Sequence, residues 1–259
     1  LIDGGSVTGV ASAIEIRSGS LAVQGGAVLT ATAEKFHITP NPSGTTTVGA
    51  AVAVSQHTTN NPIQVNISDA VLNGVYALYE DDVQDPAVGD VAMTVTGGTY
   101  NGGVHSENVA AFITGGTFSE MPLFSYFEEG YVAAWNEDVQ MYVTEEGSWV
   151  ASINERAYAS LEDAINAAKD GDTVTLLSDI TISETLTIDN AIALDLNDCT
   201  ITSAADVAVR ITADATLEDG TLIAADGAQA VTVDGAVVEF NKMLSLIHIS
   251  EPTRLDVSA

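Results

Sequence analysis

The sequence predicts an all-β chain wound as two coils of parallel β-helix, a solenoid, with one short capping helix near residues 161–169. Three observations predict this. A Gly-Gly phrase returns about every twenty residues, short strand-patterned runs lie between its copies, and a single amphipathic segment separates two repeat series. Self-similarity at such a period marks an architecture in which each unit stacks only on its neighbours.

The phrase opens as Ile2-Asp3-Gly4-Gly5-Ser6-Val7 and returns 21 residues later as Val23-Gln24-Gly25-Gly26-Ala27-Val28. Val95-Thr96-Gly97-Gly98-Thr99-Tyr100 returns 18 residues later as Ile113-Thr114-Gly115-Gly116-Thr117-Phe118. Gly97, Gly98, Gly115 and Gly116 belong at corners, where the chain turns sharply and a positive φ is costly for any residue with a Cβ. Asn73-Gly74 and Asn101-Gly102-Gly103 read as further corners. Thr99 and Thr117 then begin equivalent strands, with Tyr100 and Phe118 placed to stack.

Between the corners, Ala50–Val54, Ile63–Ile67 and Ala92–Val95 alternate as strands with one buried face. None is long enough to fold alone. Coiling them so that successive strands pair in parallel about 4.8 Å apart gives every strand two neighbours and one thin shared core. At about 21 residues a turn, residues 1–127 form a first coil of about six turns, roughly 29 Å long.

Residues 128–149 have a different texture. Seven of the fifteen aromatic residues fall between Phe124 and Trp149, and two strand-like runs flank Asn136-Glu137-Asp138. This is the pattern of a hairpin closing the first coil. Ser160 then caps a helix whose Leu161, Ala164, Ile165 and Ala168 make one apolar stripe, with Asp163 at the capping-box position and Gly171 ending it. That stripe is suited to cover the raw first turn of a second coil, residues 150–243. There Leu196-Asn197-Asp198-Cys199-Thr200-Ile201 becomes Leu217-Glu218-Asp219-Gly220-Thr221-Leu222, again 21 residues on, with Val238-Glu239 a further 21 residues on.

Seven Lys and Arg against 36 Asp and Glu give a net charge of −29, spread among small polar residues. Such a surface repels nucleic acid and anionic lipid. No apolar run approaches the ~20 residues of a membrane-spanning helix. The single Cys199 excludes an internal disulfide and reads as a small buried hydrophobe.

These residues resemble a family of large surface proteins of Firmicutes-type bacteria that carry tandem pectate-lyase-like modules. The resemblance rests on Gly-Gly-Thr-Tyr/Phe at 97 and 115, on Glu129-Gly130-Tyr131-Val132, and above all on residues 150–188, including Tyr158-Ala159-Ser160-Leu161-Glu162-Asp163-Ala164-Ile165 and Asp170-Gly171-Asp172-Thr173-Val174-Thr175-Leu176-Leu177. It covers residues 1–240 in texture, though only about forty are motif-specific. The resemblance implies a right-handed parallel β-helix, secretion or attachment to the cell wall, and modules in rows, so that neighbouring modules of the same chain are the first expected partners. Leu1 is not a Met, so any leader is expected to lie before it, and the resemblance implies a sorting signal downstream. Leu244 to Arg254 resembles a transposase-type sequencing adapter read in frame, and residues 244–259 are therefore expected to be an assembly artefact.

Catalytic motifs are sparse. Cleavage of acidic polysaccharide by β-elimination needs a cation cluster for the uronate and a base for the α-proton. The basic residues before 244, namely Arg17, Lys35, Arg156, Lys169, Arg210 and Lys242, are dispersed. Glu80, Asp81 and Asp82 form the densest carboxylate group, beside Asp85-Pro86, and read as a solvated acidic turn. His37, His57 and His105 lack companions at metal-ligand spacing, so no cofactor is expected beyond weak, diffuse calcium binding. The expectation is a non-enzymatic stalk or adhesive module. The alternative is a carbohydrate-binding or degenerate polysaccharide lyase or hydrolase coil, with Tyr76, Tyr79, Tyr100 and Phe118 lining a glycan groove; a host surface protein is a further candidate partner.

Overall fold

The computed structural model describes residues 1–41, 44–55, 61–81, 91–154 and 156–246. Among the described residues the chain is mostly β, with one α-helix, and it divides into two compact units, Leu1–Ser148 and Trp149–Ala259.

In the first unit the parallel pairings fall on three ladders, visited in the same order by successive passes of the chain. The first ladder aligns Ile2, Val23, Ile67, Val95 and Ile113, with Phe127 adding a single parallel bridge. The second aligns Val7, Leu29, Leu72, Tyr100 and Phe118. The third aligns Ile14, Val52, Leu78 and Val104. Leu29, Leu72, Tyr100 and Phe118 are fully buried, as are Val52 and Leu78. Each pass therefore seats one inward side chain directly over that of the pass before, and this row-on-row contact is what makes the thin core continuous.

The passes are unequal. Along the first ladder the steps are 21, 44, 28 and 18 residues, so five strands span about 19 Å at 4.8 Å per step rather than six equal turns. The long step carries an antiparallel hairpin, His37–Asn41 with Gly44–Val48, whose approach places Phe36 and Ile38 against Ala50, Ala53 and Tyr79. Strand Ala50–Val54 is thereby buried on both faces, which explains its unbroken run of small and aliphatic residues.

The corners combine two causes. Gly98 and Gly116 have φ of +100° and +123°. Gly97 and Gly115 do not; a Cβ there would collide with the carbonyl oxygens of Ser68 and Thr96 on the preceding pass. Close backbone approach, rather than positive φ, demands glycine at those two positions.

The far end of the first unit is closed by strands Tyr131–Asn136 and Met141–Glu146, an antiparallel pair whose second member also pairs antiparallel with Ile113–Phe118. The third ladder ends differently. The Tyr126 hydroxyl accepts from the Ser106 N–H (3.0 Å) and donates to the Ser106 carbonyl (2.9 Å), serving that residue as an adjoining strand would.

The second unit also has three parallel ladders. Val174, Leu194, Leu217 and Phe240 align on one, Ile180, Ile201, Leu222 and Ser245 on another, and Leu186, Val209 and Val231 on the third. Leu217 thus lies over Leu194, not Leu196, and pairs onward with Phe240, not Val238. Asn197 and Asp198 both adopt positive φ, and their corner holds two residues more than the corner at Asp219-Gly220, where Asp219 alone has positive φ. The step is 23 residues before that corner and 21 after it.

Ladder edges at the start of the second unit are covered by Ala151–Ile153, which pairs antiparallel with both Arg156–Tyr158 and Thr173–Leu176. Helix α1, Leu161–Ala167, packs on these strands and on Leu186–Ile188. The Asp163 N–H donates to Ser160 Oγ, and Leu161, Ala164, Ile165 and the C-capping Ala168 are buried. The helix stops at Ala167, before Gly171, because Ala168 leaves helical geometry. Strand Val238–Leu246 continues through Leu244–Leu246 alongside Thr221–Ile223; residues 247–259 lie outside those described.

Aspartates carry part of the stacking. Asp170, Asp179 and Asp214 accept the backbone N–H groups of Ala191, Thr200 and Val237, each one pass onward. Some of the chain's acidity therefore works as corner capping, a use that composition alone reads only as solubility.

Candidate functional site

The four aromatic residues expected to line a glycan groove separate into two pairs. Tyr100 and Phe118 face inward at 0 % exposure, with rings stacked at 4.9 Å and 20°. Tyr100 donates its hydroxyl to the Gly97 carbonyl at 3.1 Å, and burial raises its pKa. Both belong to the core and offer no face to a sugar.

Tyr76 and Tyr79 stand on the outer side of the third ladder, 5.2 Å apart, but Tyr79 is buried there with Ala50 and Ala53, and only Tyr76 stays partly exposed. Strand Ala70–Glu80 reaches this side because its register shifts between Asn73 and Leu78, so the inward column passes to Leu78 and its neighbours turn outward. Phe36 joins them at 4.6 and 4.5 Å, and His105 stacks on Tyr79 at 4.9 Å and 17°. Phe36 and His105 were not legible as members of this group. His105 reaches it through the lateral pairing of Tyr79 with His105 on adjacent passes, and Phe36 through the hairpin.

Tyr79 donates its hydroxyl to Asp81 Oδ2 at 2.9 Å. Burial, then the bond to Asp81, raises the Tyr79 pKa, so the phenol keeps its proton and serves as a donor. Burial also raises the pKa of Asp81, against the lowering effects of the Tyr79 hydrogen bond and the charge of His105. The arrangement offers aromatic edges, one imidazole and one carboxylate, without a nucleophile paired to a base.

The carboxylate group read as a solvated turn divides at the strand end. Asp81 points outward to Tyr79, whereas Glu80 is 1 % exposed and points into the first unit. Asp82 and Asp85 lie outside the described residues, as does His57. His37 is exposed on the hairpin. Among the described residues no group of three or more His, Cys, Asp or Glu side chains is arranged to hold a metal. Among the described residues Arg17 pairs with Glu15, Arg210 with Asp234 and Lys242 with Asp219, in different parts of the chain. Cys199 is half-buried at the corner, its thiol pKa raised by burial and by Asp179, Asp198 and Asp195, so it is a poor nucleophile.

Shallow depressions lie in the second unit. One, of about 340 Å³, runs between the start of α1 and strand Ile180–Ile182, lined by Leu161, Ile180, Ile182 and Leu186 with Glu162 and Glu184. Another, of about 380 Å³, is a face of Thr185, Thr187, Arg210, Thr232 and Asp234. Among the described residues the first holds no basic side chain, and in the second Arg210 and Asp234 are engaged with each other.

No helix among the described residues is long and apolar enough to cross a membrane. No protein-family model matches the chain, and no curated protein and no solved structure matches it.

Proposed function

We propose that both units are coils of right-handed parallel β-helix, and that the chain is a non-catalytic stalk or adhesive module of a secreted or wall-attached bacterial surface protein. The observation that carries this reading is the vertical alignment of inward side chains over three parallel ladders in each unit. Load along such a stack is shared by many ladder hydrogen bonds and buried rows at once. The acidic exterior keeps neighbouring copies apart and disfavours polyuronate. Neighbouring modules, a neutral glycan or a host surface protein are the partners such a module would meet. Residues 244–259 have no role in this reading.

The test is single-molecule extension of the chain alongside turnover assays on plant, bacterial and host polysaccharides. Discrete high-force unfolding steps with no product release are expected; any polysaccharide depolymerised by purified protein overturns the non-catalytic reading.

Carbohydrate binding is the second reading, favoured by the partly exposed Phe36, Tyr76 and His105; the buried Tyr79, Tyr100 and Phe118 take no part in it. It expects saturable glycan-array binding that Tyr76→Ala abolishes while the variant remains folded. A flat array removes it.

A further inference from the structure

We propose that the turn Ser106–Val109 is a preformed carboxylate-binding nest whose resident ligand is the chain's own Glu80, and that this seat latches the fourth pass of the first unit onto the third. The inference is independent of the role assigned to the module. Glu80 occupies an inward position, in register with Val54 before it and Ser106 after it. Packing alone would place an aliphatic residue there, as it does at Ile16 and Val54. The carboxylate nevertheless sits at 1 % exposure, and the ion pairs among the described residues do not include it.

Donors surround it instead. Oε2 accepts from Ser106 Oγ at 2.8 Å, from the Glu107 N–H at 3.1 Å and from the Asn108 N–H at 2.9 Å. Oε1 accepts from Asn108 Nδ2 at 2.9 Å. Two successive backbone N–H groups converging on one oxygen are the anion-binding arrangement of a nest, and bonds to an ionised acceptor are the strong ones. Every donor comes from the pass after Glu80, so the pocket is built by one segment and filled by another. Ser106 Oγ also accepts from the Val109 N–H, and Tyr126 holds the Ser106 backbone from the closing side. The nest is thus braced by groups other than the Glu80 side chain, and the Glu107 N–H is shared with the Glu80 backbone carbonyl at 3.1 Å, a bond that an Ala variant keeps.

A braced nest emptied by Glu80→Ala should take a small free carboxylate. In the full chain we expect Glu80→Ala to lower Tm by about 10 °C. Sodium formate should then restore at least half of the loss with a saturable concentration dependence, while sodium chloride at equal ionic strength does not and the wild type gains no more from formate than from chloride. Equal effects of formate and chloride on Glu80→Ala would overturn the nest. Folding of that variant in formate but not in chloride supports it. If the variant folds in neither salt, Asn108→Ala decides: it removes a side-chain donor and leaves the carboxylate in place. A lower Tm then supports the nest, and a wild-type Tm overturns it.

Discussion

At the scale of single residues, two substitutions separate causes that look alike. Gly97 lies against the Ser68 carbonyl with an ordinary φ, so Gly97→Val fails by collision; a loss of about 3 kcal/mol is expected by denaturant titration. Unchanged stability would dismiss the close-approach account. At Asp81 the folded state holds the pKa above its ordinary 3.8, which means folding favours the protonated carboxyl. That contribution is fully present below 3.8 and is lost as pH rises through the folded-state value. Asp81→Asn can still accept from Tyr79, so it should raise Tm at pH 7 and have little effect below pH 3.8; an identical gain at both pH values would contradict the burial of this carboxyl. Residue pairing was partly legible. The stacking of Tyr100 on Phe118 followed from matching phrases 18 residues apart, with an aromatic at the same place in each. The grouping of Tyr76 and Tyr79 with them was not sound, because a local register shift decides which neighbours of Leu78 face outward, and a period of two does not encode that shift.

Among the elements, helix α1 was the most readable, since capping and a stripe of four apolar residues are local signals. Ser160→Ala should cost about 1 kcal/mol, read as a lower unfolding midpoint, because it removes the acceptor of the Asp163 N–H. The hairpin His37–Val48 was not readable: its strands are Thr-rich and short, and its contribution is tertiary, covering Ala50 and Ala53. The pairing of Leu217 with Leu194 rather than Leu196 has a similar origin. Spacing counts residues, whereas pairing counts strand positions, and the Asn197-Asp198 corner consumes two residues without advancing the ladder. Tyr126 offers a sharper test of element closure. Tyr126→Phe keeps the buried ring but removes both bonds to Ser106, so faster hydrogen exchange at the Ser106 amide is expected with little change at Val52 or Leu78. Equal exchange in both proteins would show that the hydroxyl does not guard that edge.

For the whole molecule, each unit has its own buried core and its own antiparallel covering strands, so calorimetry of the full chain should resolve two transitions. A single transition with equal calorimetric and van't Hoff enthalpies would contradict this. With 36 acidic residues and seven basic ones, both transitions should move upward between ~10 and ~150 mM sodium chloride as mutual repulsion is screened. The all-β class and the parallel pairing were visible in the recurring phrase, because corners repeat wherever passes repeat. Turn count was not, because passes of 18 to 44 residues share one ladder. That inequality sets how the gene can change. Codons added at an excursion such as the hairpin leave every aligned row in place, whereas deleting a single codon within Ile63–Ile67 or Val207–Ile211 turns each following side chain of that strand to the opposite face. Length variation in the lineage of this protein should therefore collect at the corners, leaving the strands between them nearly constant in size.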